Sequence, residues 1–311
     1  MTMTRITRLA PSPTGALHLG NARTFLINWA LARQQDWRIV LRVEDLDTPR
    51  TKPGADIEAV EDLRWQLRDL SPYHDALCEL DQQSMIYPCR CTRKEIKRAQ
   101  SAPHGDEHEL RYPGTCLPDP GGPLQRWTAD SDETDIAWRV KVPDQTIHFD
   151  DQFAGRQSHD VQQQVGDFVV SSKAGLPAYQ LAVVIDDARQ GVTDIVRGDD
   201  LLRSAARQLW LYRFLDLTPL PRYFHLPLIY GPDGRRLAKR HGDNRLSAYR
   251  HAGVRAQRVI GLIARWCGIS ESESQKQREM EVDEFLQRFD PGKLPRDPVT
   301  FTEQDHDWLS G

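Results

Sequence analysis

The chain has 311 residues, enough for two modest domains and a small insertion. Its residues are 39% apolar and 28% charged, which excludes wholesale disorder, and no apolar run approaches the ~20 residues of a membrane helix. A net charge of −4 and an isoelectric point near 6.2 exclude a protein that wraps nucleic acid indiscriminately, while leaving room for a local basic patch that meets RNA. The polar start of the chain does not read as a secretory signal, so a cytoplasmic monomer is expected.

Residues 4–10 read as a strand that enters a Pro/Gly loop at 11–20. Residues 21–35 then read as a helix, with Asn21 as its N-cap and Leu26, Ile27, Ala30 and Leu31 on an apolar face. A second strand at 37–43 ends in the acidic turn Glu44-Asp45-Leu46-Asp47. Strand, helix and strand make a βαβ unit and predict a parallel sheet. Ligands of such sheets bind beyond the carboxyl ends of the strands, where both the Pro/Gly loop and the acidic turn fall.

Residues 89–164 differ in character: prolines, glycines, a cysteine cluster and short strand-like runs at 136–142 and 146–149 read as an insertion. The α/β pattern resumes near Asp167, with an apolar run at 179–187, a helix at 201–215 and a strand at 223–228. A basic loop at 231–242 follows, and the rest is mostly helical. The predicted fold is therefore α/β. A Rossmann-like parallel-sheet catalytic domain is formed by 1–88 and 165–242, and a short helical segment by 243–311.

Several residues are placed for chemistry. In the Pro11–Gly20 loop two prolines fix the backbone, two glycines allow close approach to a ligand, and the helix start that follows attracts phosphate. His18 would meet that phosphate; the alternative is a structural turn with a surface histidine. Lys239, in the run Arg235-Arg236-Leu237-Ala238-Lys239-Arg240, could reach a pyrophosphate from a glycine-flanked loop, or be a solvated cation. Arg90, Arg93, Lys94, Lys97 and Arg98 form either a solvated helix face or a phosphate-binding surface. For Arg8 and Arg197 the ordinary reading is a salt bridge, to Glu44 or Asp45.

The five cysteines are an odd number and argue against a disulfide framework. Cys89, Cys91 and Cys116 cluster, and three thiolates with one further ligand suit tetrahedral zinc. His104 and His108 are rival fourth ligands, and three free buried thiols are the alternative. Cys78 and Cys267 lack metal spacing and are expected to be packed.

Several blocks in order carry a family resemblance. They are Arg8-Leu9-Ala10-Pro11-Ser12-Pro13-Thr14-Gly15, His18-Leu19-Gly20-Asn21, Leu41-Arg42-Val43-Glu44-Asp45-Leu46-Asp47-Thr48-Pro49-Arg50, Ala178-Tyr179-Gln180-Leu181-Ala182-Val183-Val184-Ile185-Asp186-Asp187, Gly191-Val192-Thr193-Asp194-Ile195-Val196-Arg197-Gly198 and Leu237-Ala238-Lys239-Arg240. Together they resemble the glutamyl-tRNA synthetases, of the class I aminoacyl-tRNA synthetases. The second block stands in place of the HIGH motif and the last in place of KMSKS. The resemblance implies a ligase that activates L-glutamate with ATP, magnesium riding on the phosphates. It implies that Arg8 and Arg197 bind the substrate carboxylates, that Glu44 and Tyr179 hold the amino group, and that Ala10 and Ser12 line the same wall. His18, Gly20 and Lys239 would bind ATP, with His18 and Lys239 acting on the phosphates during catalysis.

With a short segment after Gly242, no anticodon-binding region is expected. That segment, and Val183 where full synthetases usually have Asn, resemble a truncated branch of the family. The branch attaches glutamate to the queuosine base in the anticodon loop of tRNA(Asp), and it uses Tyr in the fourth zinc position, here Tyr112. The implied cofactor is zinc, held by Cys89, Cys91, Tyr112 and Cys116 in the 89–164 insertion. Two other functions remain open: a shortened synthetase that charges tRNA(Glu), and a non-catalytic protein that binds glutamate or ATP. The chain departs from the family at Ala238, where a serine is usual, at Ser171-Ser172-Lys173-Ala174-Gly175, which lacks an acidic residue, and after Gln66, where it is shorter.

Overall fold

The computed structural model describes residues 4–11, 17–42, 69–99, 110–122, 125–129, 135–237, 244–269 and 278–310. The acidic turn 44–47, the shortened stretch after Gln66 and the Lys239 loop lie outside them.

The chain opens with β1 (Ile6–Leu9), α1 (Leu19–Gln34) and β2 (Arg38–Leu41), and β1 and β2 pair in parallel as the βαβ reading requires. The start of α1 corrects one expectation. His18, not Asn21, is the N-cap: its Nδ1 accepts from the backbone N–H of Gly20 at 3.1 Å and of Asn21 at 3.4 Å. Asn21 answers as the third helical residue, its Oδ1 accepting from the His18 N–H at 3.2 Å. An imidazole thus completes a reciprocal capping box usually closed by Ser or Thr.

After α2 (Ser71–Gln82) come β3 (Ile86–Cys89), α3 (Arg93–Ala99), β4 (Ala137–Val140), the hairpin β5 (Thr146–Asp151) and β6 (Gly155–Asp160), α4 (Val161–Gln164) and β7 (Phe168–Ser171). Strands β3, β4 and β7 form a separate antiparallel sheet. The return near Asp167 therefore begins in that sheet. The parallel sheet regains a strand only at β8 (Asp194–Gly198), after α5 (Tyr179–Arg189). Then α6 (Leu202–Phe214) crosses to β9 (Arg222–Leu226), which pairs in parallel with β8.

The parallel sheet has the order β2-β1-β8-β9. From β1 the chain moves to β2 on one side, and from β8 it moves to β9 on the other. The carboxyl ends of β1 and β8 thus flank a topological switch point, where helix connections diverge and leave a crevice.

The remainder holds β10 (Ile229–Tyr230), α7 (Leu246–His251), α8 (Ala256–Trp266), α9 (Val282–Arg288), β11 (Val299–Thr300) and α10 (Glu303–Ser310). It is mostly helical as read. The parallel pair β10 and β11 is new, and two residues are too few to show a strand period. Among the described residues two large apolar clusters result, besides a small one of Tyr87, Cys89, Ile96 and Tyr112. Leu77, Ile86, Val140, Leu181 and Leu211 centre one; Leu31, Leu262, Trp266 and Phe285 centre the other, which ties the C-terminal helices to α1. Among the described residues no helix is long and apolar enough to cross a membrane.

Candidate active site

A cleft of about 480 Å³ opens at the switch point, between the carboxyl ends of β1 and β8 and the start of α1. Arg8, Ala10, His18, Gly20, Tyr179 and Arg197, six residues singled out in the sequence, line it together. Ser12, Glu44 and Lys239 lie outside the described residues. The described flanks of the Lys239 loop meet the cleft region: Leu237 lines it, and the Asn244 carbonyl accepts from the Leu19 N–H at 3.2 Å.

Arg8 and Arg197 project from the two central strands, and each is only 5% exposed. The ion pair weighed for Arg8 is made with Asp187 of α5, Nε to Oδ1 at 3.3 Å, while Glu44 and Asp45 lie outside the described residues. Asp187 also accepts from Arg42 Nη1 at 2.5 Å. Arg197 has no carboxylate partner among the described residues. Its Nε donates to His225 Nε2 at 2.9 Å and its Nη2 to the Leu201 carbonyl at 3.2 Å, which leaves Nη1 buried and without a partner among the described residues. Burial weakens the hold of Arg197 on its proton, but a guanidinium stays charged in proteins. A buried cation with an open donor edge is costly unless an anion arrives, and the fork suits a carboxylate.

His18 also lines the cleft, at the start of α1. Burial, then the charge of Arg236, lower its pKa, while Asp200 works the other way. The ring is neutral at pH 7, and since Nδ1 accepts two backbone N–H groups, the proton sits on Nε2. The same closeness explains Gly20: a Cβ there would lie 3.0 Å from His18 Cε1. The first-turn N–H groups are engaged, Leu19 by the Asn244 carbonyl and Gly20 and Asn21 by His18 Nδ1, so the helix start offers an anion its dipole and one imidazole donor, Nε2–H.

Sequence reading passed over Arg23 and Asp200 and gave Arg236 only as a member of the basic run; all three also line the cleft. Arg23 is 1% exposed and donates to the Pro227 carbonyl at 2.7 Å. Its signal was phase: Arg23, Ile27 and Ala30 share the buried side of α1. Arg236 pairs with Asp200 at 2.6 Å, which ties the approach to the Lys239 loop to the turn after β8. Asp151 and His225 were also missed: His225 reads as one more residue of a strand, and Asp151 falls just past the run at 146–149.

The Sγ atoms of Cys89, Cys91 and Cys116 lie within 4.8 Å of one another. Tyr112 Oη sits 3.5 Å from Cys89 Sγ and accepts from the Cys116 N–H at 2.8 Å. Burial raises the Cys116 thiol, but Tyr112, the Arg90 backbone and the two other thiols outweigh it and bring it down to about 7; burial pushes Cys91 up to about 11. Arg139 covers the Tyr112 ring at 3.7 Å and donates to Cys89 Sγ at 3.2 Å. Gly166 lets this happen: it has φ +71°, and a Cβ there would stand 2.4 Å from the Tyr112 carbonyl oxygen. His104 and His108 lie outside the described residues. Cys267 is buried as expected, but Cys78 is exposed on α2, a correction, since the helix turns it away from the Leu77 and Leu80 face.

A parallel sheet that gathers buried cations and a helix start at its switch point defines an α/β protein built to hold an anionic ligand there. The profile of tRNA synthetases class I (E and Q), catalytic domain, matches residues 5–308, and the chain belongs to that family. It is 41% identical over 326 residues to a protein of Rhodopirellula baltica named glutamyl-Q tRNA(Asp) synthetase, covering 96% of this chain and 97% of that one. A protein of the same name from Symbiobacterium thermophilum is 40% identical, covering 98% of each. Among solved structures, glutamate-tRNA synthetase from Elizabethkingia anophelis superposes with a TM-score of 0.75 at 25% identity, over 99% of this chain and 70% of that one. A glutamate tRNA ligase from Elizabethkingia meningosepticum, in complex with its amino acid, gives 0.71 at 26% identity, over 99% and 69%.

Proposed function

We propose that the chain activates L-glutamate with ATP and passes the glutamyl group to the queuosine base of tRNA(Asp). The observation that carries this reading is the pair of buried arginines, Arg8 and Arg197, turned from adjacent strands into one cleft that faces the His18 helix start. The choice of acceptor is supported by coverage. The relatives named for queuosine-bearing tRNA(Asp) are matched over 97% and 98% of their length, the glutamate-tRNA synthetases over about 70%.

In this reading the two guanidinium groups hold the two carboxylates of glutamate, and Tyr179, with Glu44, meets the amino group. An oxygen of the α-carboxylate attacks the α-phosphorus of MgATP and pyrophosphate leaves. His18 Nε2–H and Lys239 stabilise the charge that grows on the phosphates, so the protein contributes position and electrostatics more than proton transfer. A hydroxyl of queuosine then attacks the glutamyl carbonyl carbon, and AMP departs. The catalytic body is 1–88 with 165–242, the insertion 89–164, and the helical segment 243–311.

The cysteine cluster suits zinc: three sulfurs within 4.8 Å and a phenol oxygen beside them form a soft donor set of tetrahedral number. Cys89, Cys91, Cys116 and Tyr112 would hold it, and bound zinc would cross-link the end of β3 to the 112–116 loop.

The test is incubation with ATP, labelled glutamate and tRNA(Asp) with or without queuosine. Label should stay on queuosine-bearing tRNA alone, at the anticodon loop. Label at the 3′ end, or equal label without queuosine, would mean a synthetase that charges the acceptor end. Absence of glutamate-dependent pyrophosphate release would mean a binding protein.

A further inference from the structure

Behind Arg197 lies a chain of three side chains that the reaction outlined above does not use. Arg197 and His225 are register partners on the parallel strands β8 and β9. His225 Nε2 accepts from Arg197 Nε at 2.9 Å, and His225 Nδ1 meets Asp151 Oδ2 at 2.6 Å. The His225 and Asp151 side chains are both fully buried. Tyr223 stacks on the His225 ring at 5.6 Å between centroids and takes the Arg197 guanidinium at 5.1 Å from its own.

The protons follow from the donors. A guanidinium only donates, so His225 Nε2 must be an acceptor and the single imidazole proton lies on Nδ1, directed at Asp151. A proton on Nε2 would face the Arg197 N–H. Asp151 is fixed in turn. Its Oδ1 accepts from the backbone N–H groups of Phe153 at 2.9 Å, Ala154 at 2.7 Å and His225 at 3.2 Å, the last shared with Oδ2 at 3.3 Å, while the ring meets Oδ2.

We propose that Asp151 and His225 form a positioning relay that holds Arg197 so that Nη1, which has no partner among the described residues, is kept for a substrate carboxylate. This rests on the reading of the cleft as a glutamate site. A carboxylate placed directly on Arg197 would fill the fork and neutralise it. The interposed neutral imidazole orients the guanidinium through Nε alone and keeps the negative charge one residue away. The charge of Arg197 is balanced for folding, yet its open edge still attracts an anion. Asp151 comes from the β5–β6 hairpin, whose tip is anchored by the Gln152 N–H on the Tyr223 carbonyl at 2.8 Å. The 89–164 insertion thereby reaches the substrate pocket.

The isosteric variant Asp151→Asn tests the relay. Three backbone donors hold its amide oxygen at the Oδ1 position, so its NH2 faces His225 Nδ1 and forces the proton onto Nε2, against Arg197. Glutamate-dependent ATP–pyrophosphate exchange should show a KM for glutamate raised about 10- to 100-fold, the scale on which a supporting residue acts at a preorganised site. The KM for ATP should stay near wild type, while the melting temperature should fall in a protein that still folds. His225→Ala should give the same split more strongly. Unchanged glutamate KM in a folded Asp151→Asn protein, or equal rises for glutamate and ATP, would overturn the relay and leave a packing role. If the wild-type protein itself shows no glutamate-dependent exchange, the reading of the cleft fails instead.

Discussion

Arg8 and Arg197 place charge where water cannot compensate it, and in the proposed glutamate site part of that compensation falls to the substrate. Arg8→Ala or Arg197→Ala strands a substrate carboxylate in the same dry site, a loss of about 2–5 kcal/mol. Pyrophosphate exchange should fall roughly tenfold or more in each; near-wild-type exchange in both would remove glutamate from this cleft. His225 predicts a pH dependence. Burial holds its pKa at about 4, with Asp151 raising it and Arg197 lowering it. In the unfolded chain a histidine titrates near ~6.5. Between these values the unfolded chain binds the extra proton, so stability is lost as pH falls from about 6.5 to about 4, by about 3 kcal/mol at the bottom. His18 and His159, whose pKa values burial also lowers, add to the same slope. The urea midpoint should therefore drop between pH 7 and 4.5, and by less in His225→Asn.

At the scale of elements, the cysteine centre depends on two loops meeting. Zinc should be present at about one equivalent, and Cys89→Ser, Cys91→Ser and Cys116→Ser should each lower it. Metal retained in all three variants on elemental analysis would exclude the cluster. Two residues that ligate nothing should matter as well. Gly166→Ala pushes a Cβ against the Tyr112 backbone and strains a positive φ, so Tyr112 should shift and metal be lost more readily to a chelator. Arg139→Met removes the one buried cation in contact with Cys89 among the described residues. Metal release should be faster there too, since three thiolates with a phenolate carry more negative charge than zinc balances.

For the whole molecule, the question is how a chain of net charge −4 meets RNA. The answer offered by α3 is local: Arg93, Lys94, Lys97 and Arg98 are exposed, while Ile96 fastens the helix beneath them. Such a face meets phosphates rather than base edges. Lys94→Ala with Lys97→Ala should weaken glutamyl transfer to tRNA, and the loss should change with salt. Exchange without tRNA should not move. A defect in exchange, or a transfer defect indifferent to salt, would place the RNA elsewhere.

The sequence by itself determined the βαβ opening, the parallel sheet, the motif order and the cysteine cluster, because each is written in local spacing: period, turn chemistry, two or three residues apart. It also named Arg8, His18, Tyr179 and Arg197 without showing that they share a cleft. Tertiary structure alone decided what lies behind them. His18 caps α1 because its ring folds back on its own helix, against the residue preference that pointed to Asn21. Asp187 reaches Arg8 from α5, and Asp151 reaches His225 from a hairpin 74 positions away. Gly166 matters only because Tyr112 passes beside it. These pairings carry no periodic signal. They exist only once sheet register and hairpin docking bring distant residues within hydrogen-bond reach, where burial makes each polar group find a partner.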